Sequence, residues 1–583
     1  MPSLPAVQRM PGPSDLTTFT VKVNGQALPG SVGVVGVDIE RAVNRIPTIR
    51  LVVSDGDAPT QDFELSGGDF FVPGNEIEIQ GGYSSDENVL FKGIITKQRL
   101  EVRRNGTSLL HVDAKDAAFR MTLARKSRYF AELKDSDLFE DLIREYAGLT
   151  GDVESTTTTF PEIVQFQVSD WDLVISRAER IGMICSVVDG AVRIAKPDVS
   201  TEPVLQLTYG SGIFDLDMEM DARTQVPTVE SSGWDHANQE VLSGEIDDVG
   251  APGQGNLSGS DLADVGQVDS FPLRHTGSLV QGELDSWAEA QMIKSRFSKI
   301  RGSVRVQGTG AVKSGDMVEF AGLGDRFNGK AFVSGVRQTL GEGDWMTTLQ
   351  IGLDPEWHVD KYPVNATPAS AFHPAISGLQ IGIVTGLEDP AGADRVQVRI
   401  PVINAGNEGT WARVSTLDAG ENRGSFFRPE IGDEVVVGFL NDDPNHPVIL
   451  GMLNSSAKPA PLTASDDNHE KGFVTRSGMK VVFNDDAVSL TIETPNGNQI
   501  LISDDEGEIK VTDESGNKIT MSSDGISLES AKDLKLKAAN EMSLDAMNLN
   551  IKASASAKLE GSASAALKSG GTTEVKGSLV QIN

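Results

Sequence analysis

Few stretches of this sequence combine residue types and spacing that could carry out chemistry, and the most suggestive one is rich in glycine. The segment GLGDRFNG, from Gly322 to Gly329, imitates the turn that binds the phosphates of a dinucleotide. A dinucleotide fold places a helix directly after that turn, but KAFVSGV follows here and alternates as a strand does. We therefore predict that this segment is the turn of a β-hairpin and not a cofactor site.

The titratable residues are arranged in ways that favour structural roles. Acidic pairs such as Asp485-Asp486 and Asp504-Asp505 could supply the two carboxylates of a glycosidase, but they recur with a sequence repeat, which is typical of solvated turns. The histidines are scattered, and no His or Cys cluster has metal-ligand spacing. The single cysteine, Cys185, lies in the apolar run MICSVV, so we expect a buried thiol and not a nucleophile. We expect no catalytic, cofactor or metal site and no enzyme activity.

The composition excludes several classes of partner. The formal net charge is −33, whereas phosphate binding requires clustered lysine and arginine, so we expect no nucleic-acid partner. The N-terminal residues contain no apolar run of signal-peptide length, and no run of about 18 apolar residues occurs. We therefore expect a protein made in the cytoplasm without a signal peptide. Without that signal, the glycosylation sequon at Asn105–Thr107 is interpreted as a turn.

The pattern along the chain predicts a mainly β protein with a few helices. From Phe19 to about Val112, alternating apolar residues end repeatedly at Gly, Asp or Asn, as strands and tight turns do. The glycine-rich stretch 247–267 is interpreted as a mobile loop. Helices are predicted for DLFEDLIREYAG after Asp135-Ser136, for SDWDLVISRAERIGM with Ser169 or Asp170 as cap, and for SWAEAQMIKSRFSKIRG from Ser286 to Gly302.

Two stretches with linker composition divide the chain into three parts. Residues 356–375, rich in Pro, Ala and Thr, and residues 456–474 are predicted to be linkers. They separate a first domain, residues 1–355, a strand-rich block, residues 376–455, and a repetitive region, residues 475–583.

The repetitive region has a fixed period. GNQILISDD begins at Gly497, GNKITMSSD begins at Gly516, and MKVVFNDD follows Gly478, so the unit recurs every 19 residues. Within it, apolar residues occur in pairs two apart, which places both members on one face of a strand. The pairs alternate at steps of nine and ten residues, so one unit is two strands, and after Ile526 the steps are eight with a single seven. The pairs are Val481/Phe483, Leu490/Ile492, Ile500/Ile502, Ile509/Val511, Ile519/Met521, Ile526/Leu528, Leu534/Leu536, Met542/Leu544, Leu549/Ile551, Ala557/Leu559, Ala565/Leu567 and Thr573/Val575.

Each of these strands presents one narrow apolar stripe and one wet face. Two inward residues per strand, often with Ala or Thr among them, are too few to close a core in a single chain. Three chains wound about a common axis would close it and leave no free sheet edge. We therefore predict an intertwined trimeric β-helix, a needle, whose core contains Leu536, Leu544, Ile551, Leu559, Leu567 and Val575.

Other architectures fit the repeats less well. A single-chain β-solenoid stays open, although its turns usually need longer repeats and bulkier cores. A calcium-binding solenoid requires GGxGxD repeats, which this sequence lacks. A disordered Ala/Ser tail fits ASASAKLEGSASAALKSGG alone, yet the eight-residue step continues through it.

Three motifs between Trp411 and Ser455 resemble a known family. WARVS at Trp411, PEIGDEVVVGF from Pro429 to Phe439 and DPNHPVILG from Asp443 to Gly451 resemble the small oligonucleotide/oligosaccharide-binding (OB) barrel of VgrG spikes and of phage tail needles. SDWDLVISRAERIGM and GAVKSGDMVEFAGLGDRFNGKAFVSGVRQTL resemble the hub portion of the same spikes. The resemblance covers nearly the whole chain in the order hub, barrel, needle.

The resemblance implies a homotrimer in a contractile injection machine. The hub, β-barrel domains with helical insertions, would dock on the tail tube and baseplate, and the needle would puncture the target envelope in transient contact with its membrane. The resemblance also implies a PAAR-type tip protein and leaves room for an effector cargo. We hypothesise that Gln581, Ile582 and Asn583, where the apolar pairs give way to polar positions, contact that tip protein.

The kind of particle and two other functions stay open at this point. The compact hub looks somewhat more like that of extracellular phage-tail-like particles than that of type VI secretion, and the particle could be released or kept in the cell. A peptidoglycan-degrading tail enzyme is disfavoured because only the linker 456–474 stands where some phage relatives carry a lysozyme domain. No toxin domain is expected after the needle. A trimeric adhesin or fibre is disfavoured because it requires an export signal.

Overall fold

The structure, a computed structural model, describes residues 16–104, 108–341 and 343–582. The sequon at Asn105–Thr107 and the last residue, Asn583, therefore lie outside the described residues. The chain forms two compact units, Met1–Gly378 with Phe439–His446, and Leu379–Gly438 with Pro447–Asn583. Strands far outnumber helices in the described part, so the prediction of a mainly β protein is confirmed.

The first unit is built on one large sheet. Its order is β14-β18-β21-β20-β3-β4-β7-β6-β5-β1-β2, and β13 and β19 extend it from β20 to make a 13-stranded sheet. Smaller sheets pair β8 with β10, β9 with β12 and β11, and β15 with β16 and β17. The strands are β1 (Thr17–Val23), β2 (Gln26–Ala27), β3 (Val34–Ala42), β4 (Thr48–Ser54), β5 (Glu76–Tyr83), β6 (Asp86–Val102), β7 (Ser108–Lys115), β8 (Arg125–Lys134), β9 (Thr150–Val153), β10 (Thr159–Ser169), β11 (Ile184–Val188), β12 (Ala191–Ala195), β13 (Leu205–Thr208), β14 (Ile213–Met220), β15 (Val229–Asp235), β16 (Glu240–Ile246), β17 (Phe271–His275), β18 (Ile300–Gln307), β19 (Met317–Ala321), β20 (Gly329–Gly341) and β21 (Asp344–Ile351).

Alternation of apolar and polar residues places a core on one face of this sheet at β4. In β4, Ile49, Leu51 and Val53 are buried, whereas Arg50 is exposed. The predicted hairpin is confirmed, because β19 and β20 pair antiparallel on either side of residues 322–328. Gly322 has φ +78°, a left-handed conformation that glycine adopts without strain.

The helices of the first unit agree with the predictions in place but not always in extent. Ser169 caps α3, since its Oγ accepts a hydrogen bond from the Asp172 backbone N–H at 3.1 Å. Helix α5 begins at Gln281, upstream of the predicted Ser286, because the Glu283 carboxylate accepts the Val280 N–H and marks the first turn there. The helices are α1 (Glu64–Gly67), α2 (Asp135–Arg144), α3 (Asp170–Arg180), α4 (Gly259–Ala263), α5 (Gln281–Phe297) and α6 (His358–Lys361).

A second apolar core lies around α2 and α3. It contains Cys185, which is fully buried, and burial raises the pKa of its thiol. The prediction of a buried cysteine is therefore confirmed.

A buried carboxylate links α3 to the strand pair β8 and β10. The side chain of Asp170 is 0% exposed and accepts hydrogen bonds from Lys126 and Arg128, both at 2.6 Å. It also accepts bonds from the Tyr146 hydroxyl at 2.6 Å and the Gln165 amide at 2.8 Å. Burial by itself raises the pKa of Asp170, but the hydrogen bonds from Lys126, Tyr146 and Gln165 outweigh it, and the pKa lies below its usual value.

The stretch 247–267, predicted to be a mobile loop, is held against the rest of the first unit. The Lys299 ammonium donates to the carbonyls of Gln254 at 2.8 Å and Leu257 at 2.9 Å. The guanidinium of Arg296 donates to Asp248 at 2.6 Å. Composition indicated the lack of strands correctly, but these cations, distant in sequence, fix the path of the loop.

Residues 356–375, predicted to be a linker, pack against the first unit. The carboxylate of Glu179 on α3 accepts bonds from the His358 backbone N–H at 2.7 Å and from the Lys294 ammonium at 3.1 Å. The His358 ring lies 2.9 Å from the Asp172 carboxylate, and both His358 and Glu179 are buried. Val364 and Ala369 of this stretch are buried as well, so it does not form a free tether.

The second unit begins with a closed five-stranded barrel in the order β22-β23-β24-β28-β27. Its interior is filled by small apolar side chains, among them Val384, Val398, Val435 and Ile449. A short ribbon, β25 and β26, interrupts it. The strands are β22 (Gln380–Gly386), β23 (Val396–Arg399), β24 (Thr410–Val414), β25 (Ala419–Gly420), β26 (Arg423–Gly424), β27 (Glu434–Phe439) and β28 (Pro447–Met452).

The repeats of the second unit form a seven-stranded antiparallel meander in which each strand pairs with the next. Its first strand, β29, lies within residues 456–474, so the end of that predicted linker is wrong: pairing with β30 makes it part of the sheet. From residue 530 to residue 582 no strand pairs within the chain. The strands are β29 (Glu470–Val474), β30 (Lys480–Asn484), β31 (Ser489–Glu493), β32 (Gln499–Ser503), β33 (Glu508–Thr512), β34 (Lys518–Ser522) and β35 (Gly525–Glu529).

Candidate assembly site on the repeat sheet

The period of 19 residues is a period of turns. Gly478, Gly497 and Gly516 have φ values of +86°, +88° and +86°, so each turn requires the same left-handed residue. In each turn the glycine N–H donates to the carbonyl three residues before it, at 2.8, 2.9 and 3.1 Å. The acidic pairs also lie in turns, since the Asp504 carbonyl accepts the Gly507 N–H at 3.1 Å. The prediction that these pairs are turn residues is confirmed.

Asparagines after two of these glycines connect successive turns. The side-chain carbonyl of Asn498 accepts the Glu514 N–H at 3.2 Å, and that of Asn517 accepts the Ala531 N–H at 2.8 Å. Each bond reaches from one turn to the next turn on the same side of the sheet. This role was not predicted, although the recurring Gly-Asn dipeptide is its signal in the sequence.

The strand register places each predicted apolar pair from Val481/Phe483 to Ile526/Leu528 opposite the next one. Val481 faces Ile492, Phe483 faces Leu490, and Ile492 in turn faces Ile500. The same register continues through β35, where Ile526 faces Met521. Because residues opposite each other on neighbouring strands share a face, these pairs form one continuous apolar stripe. We call this row, from Phe473 on β29 to Leu528 on β35, the stripe.

The stripe is only partly covered by its own chain. Its side chains from β32 to β34 are 37–42% exposed, although they are the most apolar residues of the sheet. Monomeric proteins rarely expose a contiguous apolar row of this length, so the stripe marks an interaction surface.

The opposite face of the sheet is mostly polar, with Val482 and Leu501 among its apolar members. Lys480 pairs with Glu493 at 3.5 Å and Lys518 with Glu529 at 3.1 Å across neighbouring strands. Lys510 pairs with Glu508 on its own strand. This face is suited to solvent, which leaves the stripe as the face that binds another surface.

Downstream of the sheet, the predicted core residues are mostly uncovered by the described part of the chain. Their exposed fractions lie between 63% and 89%. The backbone from 530 to 582 has no strand partner among the described residues, and unpaired backbone groups are costly when they are removed from water. A second chain can supply both missing features. The predicted core residues downstream of the sheet are Leu536, Leu544, Ile551, Leu559, Leu567 and Val575.

The residues predicted to contact a tip protein lie at the end of this segment. Gln581 and Ile582 are exposed, Ile582 to 90%, and Asn583 lies outside the described residues. Leu579 is exposed beside them. The structure therefore places two exposed apolar side chains at the predicted contact.

Two further observations on the described residues concern metal binding and membrane spanning. No group of three or more His, Cys, Asp or Glu side chains in them is arranged to hold a metal ion. No helix in them is both long enough and apolar enough to span a bilayer.

Gly516→Ala is expected to lower the stability of the repeat sheet by about 1–2 kcal/mol per chain, the cost of a left-handed conformation for a residue with a Cβ. An added Cβ at Gly516 meets nothing within 4 Å, so the effect isolates backbone strain. Urea unfolding followed by circular dichroism measures it. The control is Gly451→Ala on β28, where the Cβ also meets nothing and φ is not left-handed. Equal losses from both changes would contradict this account of the turns.

Together the fold and the stripe define a class: a hub, a small β-barrel and a repetitive shaft that presents an assembly face. Two family models match the barrel and the repetitive region of this chain. Residues 380–453 match the type VI secretion system/phage-baseplate injector OB domain, and residues 489–583 match the phage baseplate V C-terminal trimerisation domain. The predicted resemblance to VgrG-like spikes and the predicted fold class are thereby confirmed.

A third family model covers more than half of the chain. Residues 13–342 match the model described as the Alg8 N-terminal domain, and the chain belongs to this family.

Curated relatives carry the VgrG name. The chain is 27% identical over 281 residues to the type VI secretion system spike protein VgrG1b of Pseudomonas aeruginosa. This alignment covers 43% of this chain and 37% of the relative. The chain is 34% identical over 115 residues to VgrG3 of Vibrio cholerae, covering 18% of this chain and 11% of the relative. The match thus spans little more than a third of VgrG1b and less of VgrG3.

Solved structures show weaker similarity. A tail protein from Neisseria meningitidis MC58 aligns with a TM-score of 0.44 at 17% identity, covering 60% of this chain and 99% of that chain. The E. coli c3393 protein, described as a component of the type VI secretion system, aligns with a TM-score of 0.37 at 14% identity, covering 74% and 99%. The similarity to VgrG-like spikes therefore rests on the matches to the family models and not on the solved structures.

Proposed function

We propose that this protein is the central spike of a contractile injection machine and works as a homotrimer. The observation that carries the proposal is the stripe, a single in-register apolar row that its own chain leaves exposed. Three copies around one axis would bury three such rows against each other. Complete burial of a fully exposed Ile, Leu or Phe side chain contributes about 1.5–3 kcal/mol, and each stripe residue would gain the part of this that its remaining exposure represents. The match of residues 489–583 to a trimerisation domain supports the same stoichiometry.

The mass of the purified full chain in solution tests the trimer. One chain has a mass of 62.2 kDa, and light scattering is expected to give three times that value. A folded monomer would contradict the proposal.

The proposed work of the spike is mechanical and not catalytic. The hub docks on the tail tube and baseplate, and contraction of the surrounding sheath drives the needle through the target envelope. A closed three-chain shaft has no free sheet edge at which it could fray, so it suits axial load. Electron microscopy of the native particle tests this placement: density for this chain at the end of the tail tube is expected. Release of fragments from purified peptidoglycan by the chain would instead favour the tail-enzyme alternative.

The proposed tip contact is formed by Gln581, Ile582 and Asn583. Exposed Leu579 and Ile582 support it, because three copies would gather six apolar side chains on one small surface. A PAAR-type protein that covers this surface would sharpen the needle and carry an effector.

Deletion of Gln581–Asn583 is expected to leave the trimer intact and to abolish capping, because these residues lie beyond the last apolar pair. Co-purification of the tip protein with assembled particles measures capping, and light scattering checks the trimer. Lys576→Gln serves as the control, since Lys576 pairs only with Glu574 in the described structure and lies on the wet face. Particles that keep a full complement of tip protein after the deletion would refute the contact.

A further inference from the structure

Two aromatic rings meet where the barrel is joined to the repeat sheet. Phe427, in the segment between β26 and β27, stacks on Phe473 of β29 with ring centroids 5.1 Å apart and an interplanar angle of 12°. Both residues belong to the second unit. The stack leaves Phe427 60% and Phe473 49% exposed, so each ring keeps about half of its surface in water.

Phe473 is the first residue of the stripe. On the register of β29 with β30 it lies opposite Val481, and Val481 lies opposite Ile492 on the next strand. Phe473 therefore shares a face with the apolar row that runs to Leu528. The other residue of β29 on this face, Lys471, forms an ion pair with Asp485 in the next turn, which leaves Phe473 as the apolar member.

A second contact fixes the segment that carries Phe427. Arg476, in the turn after β29, donates to the Glu430 carboxylate at 2.7 Å. Phe427 contacts Phe473, and Glu430, three residues after Phe427, contacts Arg476, three residues after Phe473. These two contacts attach the segment to the start of the repeat sheet. Phe427 is held on the stripe face and is not a loose loop residue.

We propose that Phe427 and Phe473 from three copies of this chain close into an aromatic collar at the top of the needle. The occupant of each exposed ring pair is a second copy of the chain, because the pair is continuous with the stripe. The collar rests on the proposed trimer and extends it: residues 489–583 match the trimerisation domain, whereas both phenylalanines lie upstream of that range. Phe, Trp and Tyr together make up only 6% of the chain, so two exposed rings in contact stand out on this surface.

The collar predicts which positions lie close across the threefold axis. Cys185 is the single cysteine and is buried, so a cysteine introduced at position 427 is the one accessible thiol on the full chain. The test treats the Phe427→Cys variant with a short bis-maleimide and separates the products on a denaturing gel. The expected result is that most chains run as covalent dimers. The matched control is Val402→Cys, a highly exposed apolar residue elsewhere on the barrel, which is expected to stay single.

Light scattering of the untreated proteins separates failure of the collar from failure of the trimer. Trimeric Phe427→Cys that does not cross-link above the Val402→Cys control would overturn the collar and leave the trimer standing. An unsubstituted chain that is monomeric would overturn both. A further outcome supports the collar. In it, Phe427→Cys keeps its β-sheet circular dichroism but loses the trimer, whereas Phe473→Leu, which keeps an apolar side chain, stays trimeric.

Discussion

Met521→Asp is expected to prevent the chain from forming a stable trimer, whereas Thr520→Asp, one residue away, is expected to be nearly silent. Both residues lie on β34 and point to opposite faces of the sheet. Met521 lies in the stripe opposite Ile509 and Ile526. Thr520 lies on the polar face opposite Lys510, which can accommodate a new carboxylate.

The size of the effect follows from the cost of burying charge. In the proposed trimer, three carboxylates would meet near the axis without partners, and each uncompensated buried charge costs several kcal/mol. The carboxylate at position 520 stays in water and is expected to change stability by less than about 0.5 kcal/mol. Light scattering and thermal unfolding by circular dichroism measure both variants. A chain that works alone would show no such asymmetry, so equal effects would contradict the trimer.

Asp170→Asn is expected to destabilise the first unit by about 3 kcal/mol, the lower end of the cost of breaking a buried ion pair. The substitution removes the charge that Lys126 and Arg128 both contact at 2.6 Å and leaves Glu145 as the one carboxylate that they contact among the described residues. The lower end applies because both cations are about a third exposed and can be hydrated. Urea unfolding followed by tryptophan fluorescence measures the loss, with Trp171 buried next to the site.

The control for this prediction is Glu145→Gln. Glu145 contacts the same two cations but is 43% exposed, so the change is expected to cost less than about 1 kcal/mol. A loss from Glu145→Gln as large as that from Asp170→Asn would show that burial of the carboxylate is not what matters.

The same carboxylate predicts how the stability of the first unit depends on pH. The pKa of Asp170 is lower in the folded chain than its ordinary value of about 3.9. Its contribution is therefore fully present above that ordinary value and is lost as the pH falls through the lower folded value. Stability measured below about pH 4 should decline less steeply for Asp170→Asn than for the unsubstituted chain.

Local signals in the sequence determined the repeats, the hairpin and two of the longer helices. Gly478, Gly497 and Gly516 recur every 19 residues because each turn requires a left-handed residue. The apolar pairs recur with them because neighbouring strands must align their apolar faces. Such features depend on residues close in sequence, and the observed register agrees with them pair by pair.

Tertiary structure alone decided the features that join residues distant in sequence. Composition predicted a tether at 356–375, but Glu179 accepts the His358 N–H and Lys294 donates to the Glu356 carbonyl, which bind this stretch to the first unit. The environment of Asp170 depends on Lys126 and Arg128, more than forty residues upstream. Spacing along the chain carries no signal for such contacts, because they form only when separate strands and helices have packed.

The stripe lies between these two cases. The sequence determines that one face of each repeat strand is apolar, and the folded chain determines that the rows join and stay exposed. The stack of Phe427 on Phe473 shows the difference, since nothing in the spacing of two phenylalanines 46 residues apart indicates contact. Burial of an apolar surface depends on where the whole chain, and each further copy of it, comes to lie.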